Sequence, residues 1–180
     1  MLDDKSIQSS QTEQAAVASS SPGPANHAEP CAIVIFGAGG DLTKRLLIPA
    51  LYNLSRTNML SENFALIGVD LAEGTADSWR DHLFEMLKSF VKNASAEFDI
   101  DRIDKAAWKR LADKMSYIQG DLKQPELYEK IRATLDEVEK NYGTQGNVIF
   151  YLAIAGRFFC SVVEQLDKSK LIKQEEDGNG

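Results

Sequence analysis

Between an apolar run, Ala32-Ile-Val-Ile-Phe36, and a stretch of leucines at helical spacing lies the turn Gly37-Ala38-Gly39-Gly40-Asp41-Leu42. Glycines in such a turn let the backbone approach a phosphate closely. The helix that follows offers free amides and the positive end of its dipole to an anion. Gly37 and Gly39 match the first two glycines of a G-x-G-x-x-G fingerprint, and Leu42 stands in the third place, so the fingerprint is incomplete. Asp70 closes a second apolar run, Phe64-Ala-Leu-Ile-Gly-Val-Asp70. An acid there can accept hydrogen bonds from the ribose hydroxyls of NAD and repel the 2′-phosphate of NADP; it also reads as an acid that starts a loop or caps a helix. Thr43, Lys44 and Arg45 follow the turn, and these cations either approach phosphates or form a solvated basic turn of helix.

The elements that must position these residues alternate. Both apolar runs are short and β-rich, and read as buried strands. After the first, Leu42, Leu46, Leu47, Leu51 and Leu54 form a helical stripe. Pro49 falls inside that helix, where it removes a hydrogen bond and is expected to kink it. Trp79, Leu83, Met86, Leu87, Phe90 and Val91 mark a second helix, capped by Thr75 or Asp77. A third carries Trp108, Leu111, Ala112 and Met115. Ser116–Gln119 is a short strand candidate, Pro125 opens a helix through Leu127, Ile131, Leu135 and Val138, Asn147–Ala153 is a fourth strand, and Phe158–Leu166 a last helix. Strands apolar on both faces and alternating with helices call for an α/β, doubly wound parallel sheet of Rossmann type. Right-handed crossovers give the strand order 3-2-1-4. The expected organisation is a disordered tail over residues 1–30, a dinucleotide-binding domain over 31–171 and a polar end over 172–180.

Composition narrows the partners. The 20 basic and 27 acidic residues leave a net charge of -7, which argues against nucleic acid or an anionic membrane surface. No apolar run approaches the roughly 20 residues needed to cross a bilayer. The amino terminus resembles neither a secretory signal nor a transit peptide, so the cytoplasm is the expected location. Cys31 and Cys160 lack metal-ligand or redox-pair spacing and read as reduced thiols, with no metal site.

The run Val34-Ile-Phe-Gly-Ala-Gly-Gly-Asp-Leu-Thr-Lys-Arg-Leu-Leu-Ile-Pro-Ala-Leu-Tyr-Asn-Leu54 closely resembles the opening of the glucose-6-phosphate dehydrogenases. They share the Gly-x-x-Gly-Asp-Leu turn, the basic cluster and the proline inside the helix. Asn147-Val-Ile-Phe-Tyr-Leu-Ala-Ile-Ala-Gly-Arg-Phe-Phe159 is similar to the family's fourth strand and the helix entry after it, and Phe64–Gly68 is a third match. The resemblance spans about Cys31 to Leu171. It implies oxidation of glucose 6-phosphate at C1, with hydride passed to NADP or NAD, in the pentose phosphate pathway. It also implies that Gly37, Ala38, Gly39, Gly40, Asp41, Leu42, Thr43 and Lys44 surround the pyrophosphate, and that Ala153, Ile154 and Ala155 lie beside the cofactor. Asp70 and Leu71 stand where many NADP-preferring members carry an arginine. Gly39 stands where the family usually has Ser or Thr, and Leu46 replaces a third basic residue.

The family's Glu-Lys-Pro segment, its Asp-His-Tyr motif with the general base and its substrate domain are expected beyond Gly180. Neither His27 nor His82 is placed to substitute, so no catalytic residue is assigned. The resemblance therefore implies a cofactor domain that binds nucleotide, meets glucose 6-phosphate only in the full-length protein, and is inactive alone. Lys44, Arg45 and Arg56 are the cations nearest the cofactor in sequence. Without further structure against strand four, Phe158, Phe159, Val162 and Val163 are expected to form an apolar patch that promotes self-association. A one-domain short-chain reductase would need Tyr-x-x-x-Lys, and none of the five tyrosines has lysine four residues on. A non-catalytic nucleotide-binding or regulatory module is the other reading of the same residues.

Overall fold

The computed structural model describes residues 28–91 and 102–172. The expectations for the tail before Ala28 and for residues 173–180 lie outside them. Four parallel strands, β1 (Cys31–Phe36), β2 (Phe64–Asp70), β3 (Met115–Gln119) and β4 (Val148–Leu152), form one sheet in the order β3-β2-β1-β4. The helices are α1 (Ile48–Arg56), α2 (Ala76–Phe90), α3 (Lys105–Ala112), α4 (Pro125–Tyr142) and α5 (Phe159–Lys168).

The period-two alternation of the strands divides the core. Ile33, Ile35, Phe64, Leu66 and Met115 pack on one face with Leu51 and Tyr52 of α1, Trp79, Leu83 and Leu87 of α2, and Leu111 of α3. Ala32, Val34, Phe36, Ala65, Ile67 and Val69 pack on the other with Tyr128 and Ile131 of α4 and Val162 and Leu166 of α5. Helices thus cover both faces of β1 and β2, as a parallel sheet requires.

Three of the helix starts have a visible cause. Thr75 caps α2 by accepting from Ser78 N–H at 3.1 Å, while Ser78 Oγ accepts from Thr75 N–H at 2.9 Å, a reciprocal box. Asp104 caps α3 by accepting from the amides of Ala106 and Ala107. Pro125 sits in the first turn of α4, and Gly143 ends that helix at φ +64°.

The first helix differs from expectation. A π turn over Thr43–Leu47, in which Ile48 N–H bonds the Thr43 carbonyl, runs directly into α1, so Pro49 lies inside one helical stretch that begins at Asp41 and is widened just before it. The wide turn accommodates the ring and the missing N–H. Its extra residue also rotates what precedes it, so Thr43 is buried while Leu42 and Leu46 of the expected stripe face solvent. A second correction concerns the apolar patch: Val162 is fully buried and Phe158 half-buried. The exposed apolar residues on that side are Phe159 and Val163, together with Ile149 and Tyr151 of β4. α5 packs closely enough to hide Val162, but among the described residues nothing covers the other face of β4.

Candidate functional site

The turn after β1 is built so that side chains are excluded from it. Gly37 has φ +89°, and a Cβ there would lie 2.3 Å from the Ala153 carbonyl oxygen. Both facts demand glycine. Gly37 and Ala38 donate their amides to the Val69 carbonyl at 2.9 and 3.1 Å, and Gly40 donates to the Gly37 carbonyl at 3.0 Å, closing the turn. The buried Thr43 hydroxyl also donates to the Gly37 carbonyl, at 2.9 Å. The first rung of the helix is Lys44 N–H to Gly40 O at 3.2 Å. The amides of Asp41, Leu42 and Thr43 therefore precede the helical ladder, which gives them no acceptor. Of these residues Asp41 and Leu42 are exposed, so their amides can meet an anion, whereas Thr43 is fully buried.

Asp70 stands against this turn. Its Oδ2 accepts from Gly39 N–H at 2.7 Å, and its Oδ1 from Ala72 N–H at 3.2 Å. A Cβ on Gly39 would come within 3.1 Å of Asp70 Oδ2, so the bare glycine and the close carboxylate belong together. Asp70 also lines a cavity of about 370 Å³ with Gly37, Leu71, Ile154, Ala155 and Phe158. The loop after β3 closes the cavity through Asp121, Leu122 and Lys123. It lies at the carboxyl ends of all four strands, where open α/β sheets bind their ligands.

Three aromatic donors hold the three loops around this crevice. Trp79 Nε1–H bonds the Ala38 carbonyl at 3.1 Å, the Tyr117 hydroxyl bonds the Ala72 carbonyl at 2.8 Å, and the Tyr128 hydroxyl bonds the Leu122 carbonyl at 2.8 Å. Burial and then the charge of Asp121 push the Tyr128 hydroxyl up to about 12, so it remains a donor at neutral pH. Burial, with Asp70 adding to it, raises Tyr117 likewise.

Residues 34–179 match the family model described as the NAD binding domain of glucose-6-phosphate dehydrogenase. The chain belongs to the glucose-6-phosphate dehydrogenase family. It is 35% identical over 147 residues to a glucose-6-phosphate 1-dehydrogenase of Chlamydia muridarum, an alignment that covers 82% of this chain and 28% of that one. The enzyme of that name from Leuconostoc mesenteroides is 26% identical over 140 residues, covering 78% and 26%. The crystal structure of the Mycobacterium avium enzyme superposes with a TM-score of 0.65 at 28% identity, covering 80% of this chain and 28% of that one. A glucose-6-phosphate dehydrogenase solved in complex with its substrate gives the same TM-score, 0.65, at 27% identity, covering 83% and 29%. The chain spans about 28% of the length of the relatives it matches.

Within this family domain, the structure gathers Gly37, Asp70, Leu71, Ile154 and Ala155 around one cavity, with Ala153 under the turn. Lys44 and Arg45 do not line the cavity, and Arg45 is paired with Asp41 at 2.7 Å on the surface. Thr43 is fully buried with its hydroxyl committed inward, and it does not line the cavity. His82 is exposed on α2, and His27 lies outside the described residues. Sequence reasoning missed Lys123 as a cavity residue and took Trp79 for a plain core residue. Only the Gln119-Gly-Asp-Leu122 segment hinted at the third loop.

Proposed function

We propose that this chain binds a nicotinamide dinucleotide across the carboxyl ends of its strands. In the full-length protein, the nicotinamide bound there would accept hydride from C1 of glucose 6-phosphate. The observation that carries the reading is the turn at Gly37–Leu42, where Gly37 admits no Cβ and the exposed Asp41 and Leu42 have amides that precede the helical ladder. The chain's own residues divide the task. The turn meets the pyrophosphate, Asp70 meets the adenine-side ribose, and Ile154 and Ala155 wall the crevice on the β4 side. No histidine lines the cavity, and we expect no glucose-6-phosphate-dependent reduction by this chain alone. A cytoplasmic location belongs to the same reading, since free thiols such as Cys31 and exposed Cys160 stay reduced there.

Cofactor choice follows from the charges at the crevice. Asp70 retains lone pairs for ribose hydroxyls beyond the two amides it already accepts, and it opposes a 2′-phosphate. Leu71 supplies no counter-charge, but Lys123 lines the same cavity. The balance supports a modest preference for NAD, or dual use. Calorimetric titration with both nucleotides tests this. Asp70→Ala combined with Leu71→Arg is expected to shift the ratio toward NADP by on the order of tenfold to a hundredfold. Wild-type protein binding NADP clearly tighter than NAD would overturn the role given to Asp70. A chain that binds neither nucleotide would overturn the function. Association of copies through the β4 side is the remaining part of the proposal, supported by exposed Ile149, Tyr151, Phe159 and Val163.

A further inference from the structure

The peptide joining Ala38 and Gly39 is gripped at both ends. Its carbonyl accepts from the buried Trp79 indole at 3.1 Å, and its N–H donates to Asp70 Oδ2 at 2.7 Å. In a planar trans peptide these two groups point in opposite directions, so fixing one fixes the other. The indole reaches the turn because β2 makes room for it. A Cβ on Gly68 would lie 2.5 Å from Trp79 Cη2 and 2.9 Å from Ala38 Cβ. Tyr117 backs the ring from β3, with centroids 5.7 Å apart, and its own hydroxyl holds the loop that follows Asp70. Flanked by glycines, the turn has little intrinsic preference for one orientation of this peptide. The grip from α2 therefore has to come from outside the turn.

We propose that Trp79 is a positioning residue for the nucleotide site. Its indole N–H holds the Ala38–Gly39 peptide with Gly39 N–H on the Asp70 carboxylate, and so sets the turn whose following amides meet an anionic ligand group. A tryptophan that merely fills the core would need its ring and not its N–H. The proposal rests on the nucleotide-binding reading, and its test separates the two.

In Trp79→Phe the ring still fills the slot over Gly68 and the N–H is lost. Calorimetric titration of the full chain is expected to show ADP binding about tenfold more weakly than to wild type, while adenosine, which has no phosphate, is unchanged. The second arm uses Trp108→Phe, which leaves Trp79 as the sole tryptophan of the two in the chain. There, ADP is expected to shift the indole emission saturably and adenosine is not. Equal affinity of wild type and Trp79→Phe for ADP overturns the proposal and leaves the nucleotide reading standing. So does an emission unmoved by ADP while calorimetry registers binding. A wild-type chain that binds neither ADP nor NAD overturns that reading and the proposal with it. If Trp79→Phe does not fold, the emission arm alone decides.

Discussion

At the carboxyl end of β1, side chains from three elements converge on one turn. Thr43 holds the Gly37 carbonyl, Trp79 the Ala38 carbonyl and Asp70 the Gly39 amide. One strand away, β4 pairs among the described residues with β1 alone, and Ile149 and Val163 leave 50% and 47% of their surfaces in water. The two regions are neighbours in one sheet and differ in what surrounds them. Around the turn, three side chains from this chain already fix the geometry of the part of the site proposed to bind phosphate. Along β4, the half-buried set Val148, Phe150 and Leu152 packs against the core beneath α4 and α5, whereas the alternate set faces no helix among the described residues. The turn end of the crevice is thus held rigidly, and the β4 end is a surface open to contact among the described residues.

The largest expected effect breaks the first half of that contrast. Gly37→Ala places a Cβ against the Ala153 carbonyl and asks an L-residue to hold φ +89°. Left-handed strain of about 1–2 kcal/mol and overpacking of about 1–3 kcal/mol together predict a loss of about 3 kcal/mol in urea unfolding. A loss below about 1 kcal/mol would mean that the turn is not over-determined. Next in size is the β4 side. Ile149→Glu with Val163→Glu puts charge on the strand and helix surfaces that lack cover. Such charges are how natural edges resist association. Sedimentation at several concentrations is expected to show association weakened at least about tenfold, which is about 1.4 kcal/mol. Wild type that stays monomeric over the same range would remove the reason for calling this face open.

The contrast also explains what could be read in advance. The glycine turn, Asp70 and the strand order were legible because each is written in one short segment: a positive φ needs glycine, and an acid at a strand end has few roles. The π turn was not legible, because Leu42, Leu46 and Leu47 keep perfect helical spacing. Only the accommodation of Pro49 against the sheet decides which of them turn inward. Trp79 was placed on the correct stripe, but its N–H matters through Ala38, 41 residues away, and through the missing side chain of Gly68. Lys123 was overlooked for a related reason, since the loop after β3 reaches the cavity only once β2 lies beside β3. Val162 was expected to be exposed because helical spacing alone does not tell which side of α5 meets the sheet.

A smaller effect sharpens the picture of the turn. The Thr43 hydroxyl is fully buried, and its hydrogen bond reaches a carbonyl that Gly40 N–H also serves. Thr43→Val keeps the shape and removes one of two donors. Because the carbonyl is not orphaned, the expected cost is about 1 kcal/mol in unfolding rather than the larger penalty of an unsatisfied buried group. A cost above about 3 kcal/mol would show that Gly40 alone cannot hold the turn closed.

The smallest expected effect lies at the entry to β4. The Glu139 carboxylate accepts from the Thr144 hydroxyl at 2.6 Å and from Gly146 N–H at 3.1 Å, tying the end of α4 to the loop that starts the exposed strand. That loop needs tying, because Gly143, Gln145 and Gly146 all have positive φ. The Thr144 hydrogen bond first, and the Gly146 amide second, hold the Glu139 pKa below its ordinary 4.5. Since the folded value is lower than the unfolded one, the stabilisation is whole above the unfolded value. It is lost as pH falls through the folded value. Glu139→Gln preserves an acceptor but does not titrate. The gap in unfolding stability between wild type and this variant is therefore expected to be flat from neutral pH to about pH 5.5 and to shrink below that. Asp104 at the cap of α3 is depressed in the same direction by the amides of Ala107 and Ala106, but it is present in both proteins and cancels in the difference. Because the carboxylate is solvent-exposed, the gap itself will be small, and its pH dependence is the sharper measurement. A gap that stays constant down to about pH 3 would mean that Glu139 does not hold the loop, and that β4 is fixed only by its ladder to β1.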